Sequence, residues 1–559
     1  MHSKRAPADT PRMNVARPLL LASMMAQVFA VPFAHGGEIE TSVPDLKIRW
    51  DNTVKYSAAF RVKDPSDQFK ADPNQDDGTR NFDRGLVSNR LDLLSEFDAT
   101  YNNFGLRLSG AAWYDTEYTG TNDNDSAPGT GNAFGVAYNR FSAGTRKVNG
   151  RDVELLDAFV SARFEPGGTP VTVRVGRHAL LWGESMFFGS NGIAAGQAPT
   201  DVSKALSVPN LRFNELIRPD NQVSGQVQIS PTLALAGYYK LGWEGNRMPG
   251  TGSYFAGVAT DFVLPGSDML YIPGAGTAAF LGRARDMEPG DSGQGGLQLK
   301  YRPENSDVDF GFYALQYNER GFQVLLKPGY FSAPPIAPNQ VGEYQLVYHK
   351  HVRTFGLSAS TSVGNVNFAG EVSVHRNLGL QSTAQVDLGG TSDNDKNPLY
   401  AVGNSVQAQF SWIASLGPSF IAAEASWVGE VAWNRRTSIT KNAAALDPNS
   451  TRSAWSLRTI YEPSYRQVRP GLDISVPVGL GYSPSGRSSV VGAFSTPRSG
   501  DVNVGINGTY LDAWRIGLSY THYFGSANTF LVPISLANQT YGQGLKDRDY
   551  IALSVRRTF

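Results

Sequence analysis

Past residue 46 the sequence is built from alternating runs, and the connections between those runs alternate as well. Leu472, Ile474, Val476, Val478, Leu480 and Tyr482 are separated by Asp473, Ser475, Pro477, Gly479 and Gly481. Val502, Val504, Ile506, Gly508 and Tyr510 repeat the pattern, as do Trp514, Ile516, Leu518 and Tyr520, and Val366, Phe368, Gly370, Val372 and Val374. Successive strand side chains point to opposite faces, so each run has one apolar face and one small or polar face. Short turns stand at Asn102-Asn103, Pro166-Gly167-Gly168, Ser230-Pro231, Pro303 to Ser306, Gly364-Asn365, Gly417-Pro418 and Leu511-Asp512. Between them lie long polar stretches at 63–86, 118–150, 182–220, 244–292, 319–349, 377–401, 435–451, 483–499 and 525–545. Connections beyond about 12–15 residues are uncommon in a compact soluble domain. A strict succession of short turn and long loop is the rhythm of a transmembrane β-barrel, with turns on the periplasmic side and loops outside.

The fold class expected is therefore all-β: a single antiparallel barrel over 47–559, with about 18 strands and 16 or 20 as the neighbouring even counts. An even count puts both termini in the periplasm. No apolar run approaches the ~20 residues of a membrane-spanning helix, and a closed barrel is the other way to satisfy backbone polar groups in lipid. Trp50, Trp113, Trp182, Trp243, Trp433 and Trp514 fall near expected strand ends, where amphipathic rings suit the membrane interface.

The N-terminus reads as a signal peptide over 1–36. Lys4, Arg5, Arg12 and Arg17 form a basic region ahead of the apolar run Leu19 to Val31. Small-residue cleavage patterns occur at Val28-Phe29-Ala30 and Ala34-His35-Gly36; the second follows the end of the apolar run and is preferred. Residues 37–46 would be a short periplasmic segment. The whole chain balances 50 Lys+Arg against 50 Asp+Glu. Loss of 1–36 removes four of the bases and one acid, Asp9, leaving 46 against 49, mildly acidic and with no field to attract nucleic acid. The absence of cysteine excludes disulfides, thiol catalysis, Cys-ligated zinc and a lipid-modified cysteine.

At the other end, Ile551, Leu553, Val555 and the terminal Phe559 share one face of a last strand, like the signal read by the outer-membrane insertion machinery; Arg557 stands where an apolar residue is usual.

Longer blocks carry a family resemblance. Asn81-Phe82-Asp83-Arg84-Gly85-Leu86-Val87-Ser88-Asn89-Arg90-Leu91-Asp92-Leu93-Leu94-Ser95-Glu96, Ser109-Gly110-Ala111-Ala112-Trp113-Tyr114-Asp115 and Gly176-Arg177-His178-Ala179-Leu180-Leu181-Trp182-Gly183-Glu184-Ser185 resemble the DUF1302 family of proteobacterial outer-membrane proteins. Arg353-Thr354-Phe355-Gly356-Leu357-Ser358 and Gly370-Glu371-Val372-Ser373 are similar to later family blocks. Ala198-Pro199-Thr200-Asp201 and Asn214-Glu215 depart from the family's Asn-Pro-x-Asp and Lys-Glu. The resemblance implies an outer-membrane barrel working with a periplasmic lipoprotein-like protein and an RND-type permease, and so movement of a hydrophobic compound or lipid across the envelope.

Function should lie on the lumen face. Inward charge candidates are Asp92, Glu96, Asp98, Arg107, Asp157, Arg163, Arg174, Glu371 and Glu424, since a charge facing lipid at mid-depth costs about 2–4 kcal/mol. They serve either as a polar conduit or as ion pairs that fill the lumen. The stretch 182–220 is too apolar for a loop waving in water. It is expected to fold into the barrel as a constriction or ligand shelf, with Trp182, Glu184, Ser185, Phe187, Phe188, Asp201, Phe213, Glu215 and Leu216 as its candidates, or else to pack as an extracellular cap. The loop acids at 72–77, 122–125 and 393–395 are oxygen-rich without the full spacing of a calcium loop. His349 and His351 would share a face on a strand, and His178 and Ser185 lie on one motif, but no catalytic constellation is complete. The reading is a monomeric, non-enzymatic barrel without cofactor, surrounded by outer-membrane lipids. It would pass a small hydrophobic or amphipathic compound or lipid. The alternative is a surface receptor or scaffold with a blocked lumen and partner-binding loops.

Overall fold

A computed structural model describes residues 37–126, 131–210, 213–272, 279–494, 496–535 and 537–559; the side chains of Phe213, Asn214 and Ala493 are outside that description, as is the expected signal peptide. Eighteen strands close into an antiparallel barrel. They are β1 Leu46–Arg61, β2 Gly85–Tyr101, β3 Phe104–Asp115, β4 Arg151–Phe164, β5 Val171–His178, β6 Asp220–Ser230, β7 Leu233–Lys240, β8 Gly295–Tyr301 and β9 Asp309–Tyr317. The second half comprises β10 Val352–Val363, β11 Val366–Gly379, β12 Val402–Leu416, β13 Glu424–Lys441, β14 Ser453–Arg469, β15 in two pieces (Leu472–Ser475 and Val478–Ser485), β16 Ser499–Tyr510, β17 Trp514–Phe524 and β18 Tyr550–Thr558. The seam is β1 on β18, in register from Thr53↔Thr558 to Arg61↔Tyr550, so the wall has no open edge. Among the described residues no helix is long and apolar enough to cross a membrane.

Each of the seven short turns named above, and each of the nine long connections, joins two of these strands. The eighth short turn, Pro470-Gly471, lies where alternation gave no break: Gly471 sits at φ 74° and a register slip between Tyr465 and Arg469 disorders the strand end. Pro477 splits the run 472–482, and β13 continues through residues expected in a loop, as far as Lys441. Ahead of β1, Gly37–Ile39 pairs with Ile48–Trp50 on β1, where β18 has already ended.

Side chains follow the pleat. On β3 and β18, Leu106, Leu108, Ile551 and Leu553 face outward and exposed, while Ser109, Ala552 and Ser554 are buried on the lumen side. An apolar belt around a closed hydrogen-bonded wall is what lipid requires: this is a transmembrane β-barrel. Trp50 and Trp514 do lie at the short-turn rim, Trp514 stacked on Arg557. Trp113 and Trp182 do not: both are buried inside, and Trp243 packs on Tyr348 among the loops.

The long loops are not separate arms. A five-stranded sheet combines Met269–Tyr271, Phe280–Arg283, Gln323–Pro328, Gln340–Val347 and Gln385–Val386 from three different loops. A second cluster joins Phe82, Tyr118, Phe141, Tyr254, Phe255 and Leu545. Buried Arg61 and Arg548 share the carboxylate of Asp547, at 2.7 and 2.6 Å, and both lie over the Tyr254 ring. The loop ends of the strands thus carry one packed cap.

Candidate functional site: a lumen crossed by an inward segment

The connection between β5 and β6 enters the lumen and crosses it. Its first part is held by two carboxylates on the inward faces of β11 and β13. Glu371 accepts from the backbone N–H of Glu184 at 2.6 Å and of Ile193 at 3.0 Å, and from Gln409 Nε2 at 2.7 Å. Glu430 accepts from Ser185 Oγ at 3.0 Å and from the N–H groups of Met186, Phe187 and Phe188 at 3.1, 2.5 and 3.1 Å. Each carboxylate, buried from water, thereby meets a nest of donors, the one environment that tolerates an anion there. Gly183, at φ 95°, and Gly192 press against Glu371, and a Cβ on either would run into its carboxylate. Asn434 Nδ2 donates to Asn191 Oδ1 at 3.0 Å.

The middle part is the helix Val202–Ser207, capped by Asp201, whose Oδ1 accepts from Lys204 N at 2.9 Å. It is pinned by charge to the wall: Lys204 lies 3.1 Å from Glu154, and Arg247 bonds both Glu154 and Asp201. Arg90, Lys204 and Arg247 surround the Trp113 ring at 5.3, 4.8 and 5.5 Å, a cation–π contact favoured by the dry site. The last part rests on the opposite wall. Lys55 Nζ donates to Pro209 O, Asn210 Nδ2 donates to Ser554 Oγ at 3.0 Å, and Glu215 stands 3.9 Å from Arg556. Glu371 on β11 and Lys55 on β1 are far apart around the ring, so the segment spans the barrel.

Between this segment and the wall formed by β18 and β1–β4 lies a cavity of ≈ 260 Å³. Its apolar lining includes Leu94, Leu156, Leu181 and Ile217, and its charged lining includes Lys55, Glu96, Arg107 and Asp157.

The sequence candidates sort accordingly. Glu96, Asp98 and Asp157 converge on Arg107 at 2.5, 2.7 and 3.3 Å, and Asp92 pairs with Arg90 at 2.7 Å, so most inward charges fill the lumen by pairing. Arg174 faces inward over the Phe159 ring. Arg163 and Glu424 sit at the short-turn rim, Arg163 near Glu165 and Glu424 near Arg466. Glu371 is not a free lumen charge but a holder of the segment.

Of the shelf candidates, Trp182 is buried against Tyr238, Tyr313 and Ile193, Ser185 is spent on Glu430, Asp201 is a helix cap, and Leu216 O accepts from Asp201 N at 2.8 Å. Glu184 Oε1 accepts from Ser358 Oγ at 3.5 Å. Phe187, Phe188 and Leu216 do not line the cavity, and Phe188 packs on Phe494; the apolar surface comes instead from Leu181 and Ile217 at the two ends of the segment. Glu215 does line it, and the Phe213 side chain lies outside the description. Glu430 and the Trp113 box were not foreseen. At the C-terminus, Ile551 and Leu553 face lipid, Val555 continues their face, and Phe559 pairs its backbone with Asn52 while its ring lies on Arg557.

The histidines and loop acids singled out above have other partners. His178 Nε2 bonds Ser224 Oγ at 2.8 Å, whereas Ser185 Oγ donates to Glu430. His349 is buried on Tyr400 OH at 2.8 Å, and burial pulls its pKa down to about 4; His351, at φ 61°, turns to Asp395. Asp72 accepts from Asn74 N and Gln75 Nε2 of its own loop and from Ile534 N of the β17–β18 connection, and Asp393 accepts from Asp395 N and Asn397 N. Among the described residues, no group of three or more His, Asp or Glu gathers as a metal site.

Solved structures similar to this chain are outer-membrane channels. They include DcaP of Acinetobacter baumannii (10% identity, 94% of this chain and 100% of that chain, TM-score 0.39) and OccAB1 of the same organism (12%, 94% and 99%, 0.43). Pseudomonas aeruginosa OpdK, solved with vanillate, is another (11%, 92% and 98%, 0.40). Among curated proteins none matches the sequence. The family model described as protein of unknown function DUF1302 matches residues 13–559, and on that match, with the barrel and its inward segment in view, the chain belongs to the DUF1302 family.

Proposed function

We propose that this barrel is an outer-membrane channel for a small hydrophobic or amphipathic compound, and that the cavity beside the inward segment is where the compound pauses. The observation that carries the reading is the cavity's mixed lining: Leu94, Leu156, Leu181 and Ile217 together with Lys55, Glu96, Arg107 and Asp157. Ligand sites are concave and mostly apolar, with a few placed polar groups, and the charged groups here offer partners to the polar end of an amphipathic molecule. We read the barrel as non-enzymatic, and a periplasmic lipoprotein-like protein with an RND-type permease as the partners at its short-turn side. The packed cap favours one second reading, a receptor whose lumen stays blocked. The deciding experiment is uptake of one defined compound by a deletion strain. The full barrel should restore it and a barrel lacking 182–220 should not; rescue by the shortened barrel would end the pausing-site reading, and failure of the full barrel would favour the receptor.

A further inference from the structure

The loop-side rim of the wall carries cations on its lipid-facing surface that no acid balances. Arg353 on β10 and Arg376 on β11 are directly opposite each other in the strand register, and both are exposed. They share the face of Phe355 and Leu357 on β10 and of Val372 and Val374 on β11, all exposed on the outside of the barrel. Arg376 stands ten residues beyond Val366, where β11 leaves its short turn. That is about 33 Å of strand, or about 25 Å of depth at a tilt of about 40°, the height of an apolar membrane band. The pair therefore lies where hydrocarbon gives way to lipid headgroups, on the side away from the short turns. Like charges directly opposite each other on a sheet repel, yet the outward positions of β10 to β14 hold no Asp or Glu. Arg353 donates from Nε to Gln316 Oε1 at 3.3 Å, which leaves its two terminal nitrogens uncommitted. Arg435 on β13, also exposed, adds a third cation next to the Trp433–Trp455 ring pair, whose centroids are 6.0 Å apart. Among the described residues, none of these three arginines has a carboxylate within ion-pairing distance.

We propose that Arg353 and Arg376 form a binding site for the phosphate of a phosphorylated outer-leaflet lipid whose acyl chains lie on Phe355, Leu357, Val372 and Val374. A guanidinium fork matches a phosphate bidentately, and a phosphate bridging the two forks replaces their repulsion by charge-assisted contacts. The apolar rows beneath the pair supply the acyl surface, which a free anion would not use. The site faces the membrane and is independent of what passes through the lumen.

The test titrates the full barrel in detergent micelles with three probes: diphosphoryl lipid A, the same lipid A with both phosphates removed, and inorganic phosphate. Binding is measured by native mass spectrometry. Diphosphoryl lipid A is expected to bind at least about tenfold more tightly than the dephosphorylated form, since the charge-assisted contacts are the difference. Arg353→Gln and Arg376→Gln should each weaken it about tenfold, and the double variant about 100-fold, with binding of the dephosphorylated form unchanged. Without lipid, Arg376→Gln should melt at the same temperature or higher, because a like charge is lost; a merely structural arginine would lower it. Diphosphoryl lipid A should raise the melting temperature of the wild type and not of the double variant. Equal binding of the two lipid A forms would overturn the site. So would an equal loss in an Arg163→Gln, Arg466→Gln variant, which removes the same charge from the short-turn rim. Inorganic phosphate binding as tightly as diphosphoryl lipid A would overturn the lipid as its occupant.

Discussion

The hold of Glu430 on the inward segment gives the sharpest quantitative prediction. Glu430→Ala removes the acceptor for one hydroxyl and three consecutive backbone N–H groups. Each bond to a charged group contributes about 1.5–3 kcal/mol, and each donor left buried without a partner costs about 1–3 kcal/mol. Water entering the space left by the side chain recovers much of this, and Glu371 keeps its own three donors, so a net cost of about 3 kcal/mol is a reasonable central value. At 1.4 kcal/mol per tenfold, the detached population of residues 184–188 should rise about 100-fold. The chain has no cysteine, so Met186→Cys gives a background-free reporter. Its labelling by a small water-soluble thiol reagent should accelerate about 100-fold in the Glu430→Ala background when opening is fast relative to labelling. Single-channel recordings should show matching longer or larger conducting events. A change of under about threefold would refute the latch, as would equal acceleration at an Asn210→Cys reporter on the opposite wall, which would mean general loosening.

Two further outcomes follow from the wall and the cap. Leu518→Arg places a charge on the lipid face of β17 and should destabilise the barrel by about 2–4 kcal/mol at mid-depth in urea unfolding from vesicles, whereas Ser519→Arg, on the lumen face, should cost far less. In the cap, burial together with the neighbouring Asp77 raises Asp76 to about 7, and burial raises Asp77, whose N–H donates to Asp261 at 3.1 Å, to about 6. Folded pKa values above the unfolded 3.8 mean that the folded cap binds more protons, so the stability these acids confer is full below about pH 4 and is lost as pH rises through 6 to 7. Hydrogen exchange at residues 74–81 should therefore quicken between pH 4 and 7 after correction for intrinsic rates, and Asp261→Asn should flatten that dependence; protection that rises with pH would contradict it.

Most of the wall was legible because its two rules are local. Alternation fixes which face each side chain takes, and Gly, Pro and Asn mark the tight turns. Pro470-Gly471 escaped because the stretch before it, Arg466 to Arg469, is polar but for Val468 and slips register, so no clean alternation ended there. The inward course of 182–220 was suggested by its apolar content, but its anchors were not readable. Glu430 looks like any inward carboxylate, and its partners are backbone N–H groups more than 240 residues earlier in the chain, which no side-chain pattern encodes. The aromatic shelf failed for a related reason: apolarity at Phe188 signals burial, and only packing decides that the burial is on Phe494 and not around a ligand. Trp113 likewise reads as an interface residue from its place near a strand end; its pleat parity and its three cationic neighbours put it inside.

The seam between the first and last strands has a consequence for biogenesis. Thr53 and Thr558, whose hydroxyls meet at 2.9 Å, are 505 residues apart in sequence. Joining chain ends so distant costs roughly 5–6 kcal/mol in loop entropy by the logarithmic rule, and the nine residue pairs from Thr53↔Thr558 to Arg61↔Tyr550 form only once the final strand exists. Until then β1 offers an unpaired edge that any other extended chain could occupy. The polypeptide therefore has to be kept from other strands for the whole of its synthesis and export, and a product cut short before Tyr550 has no route to a sealed wall.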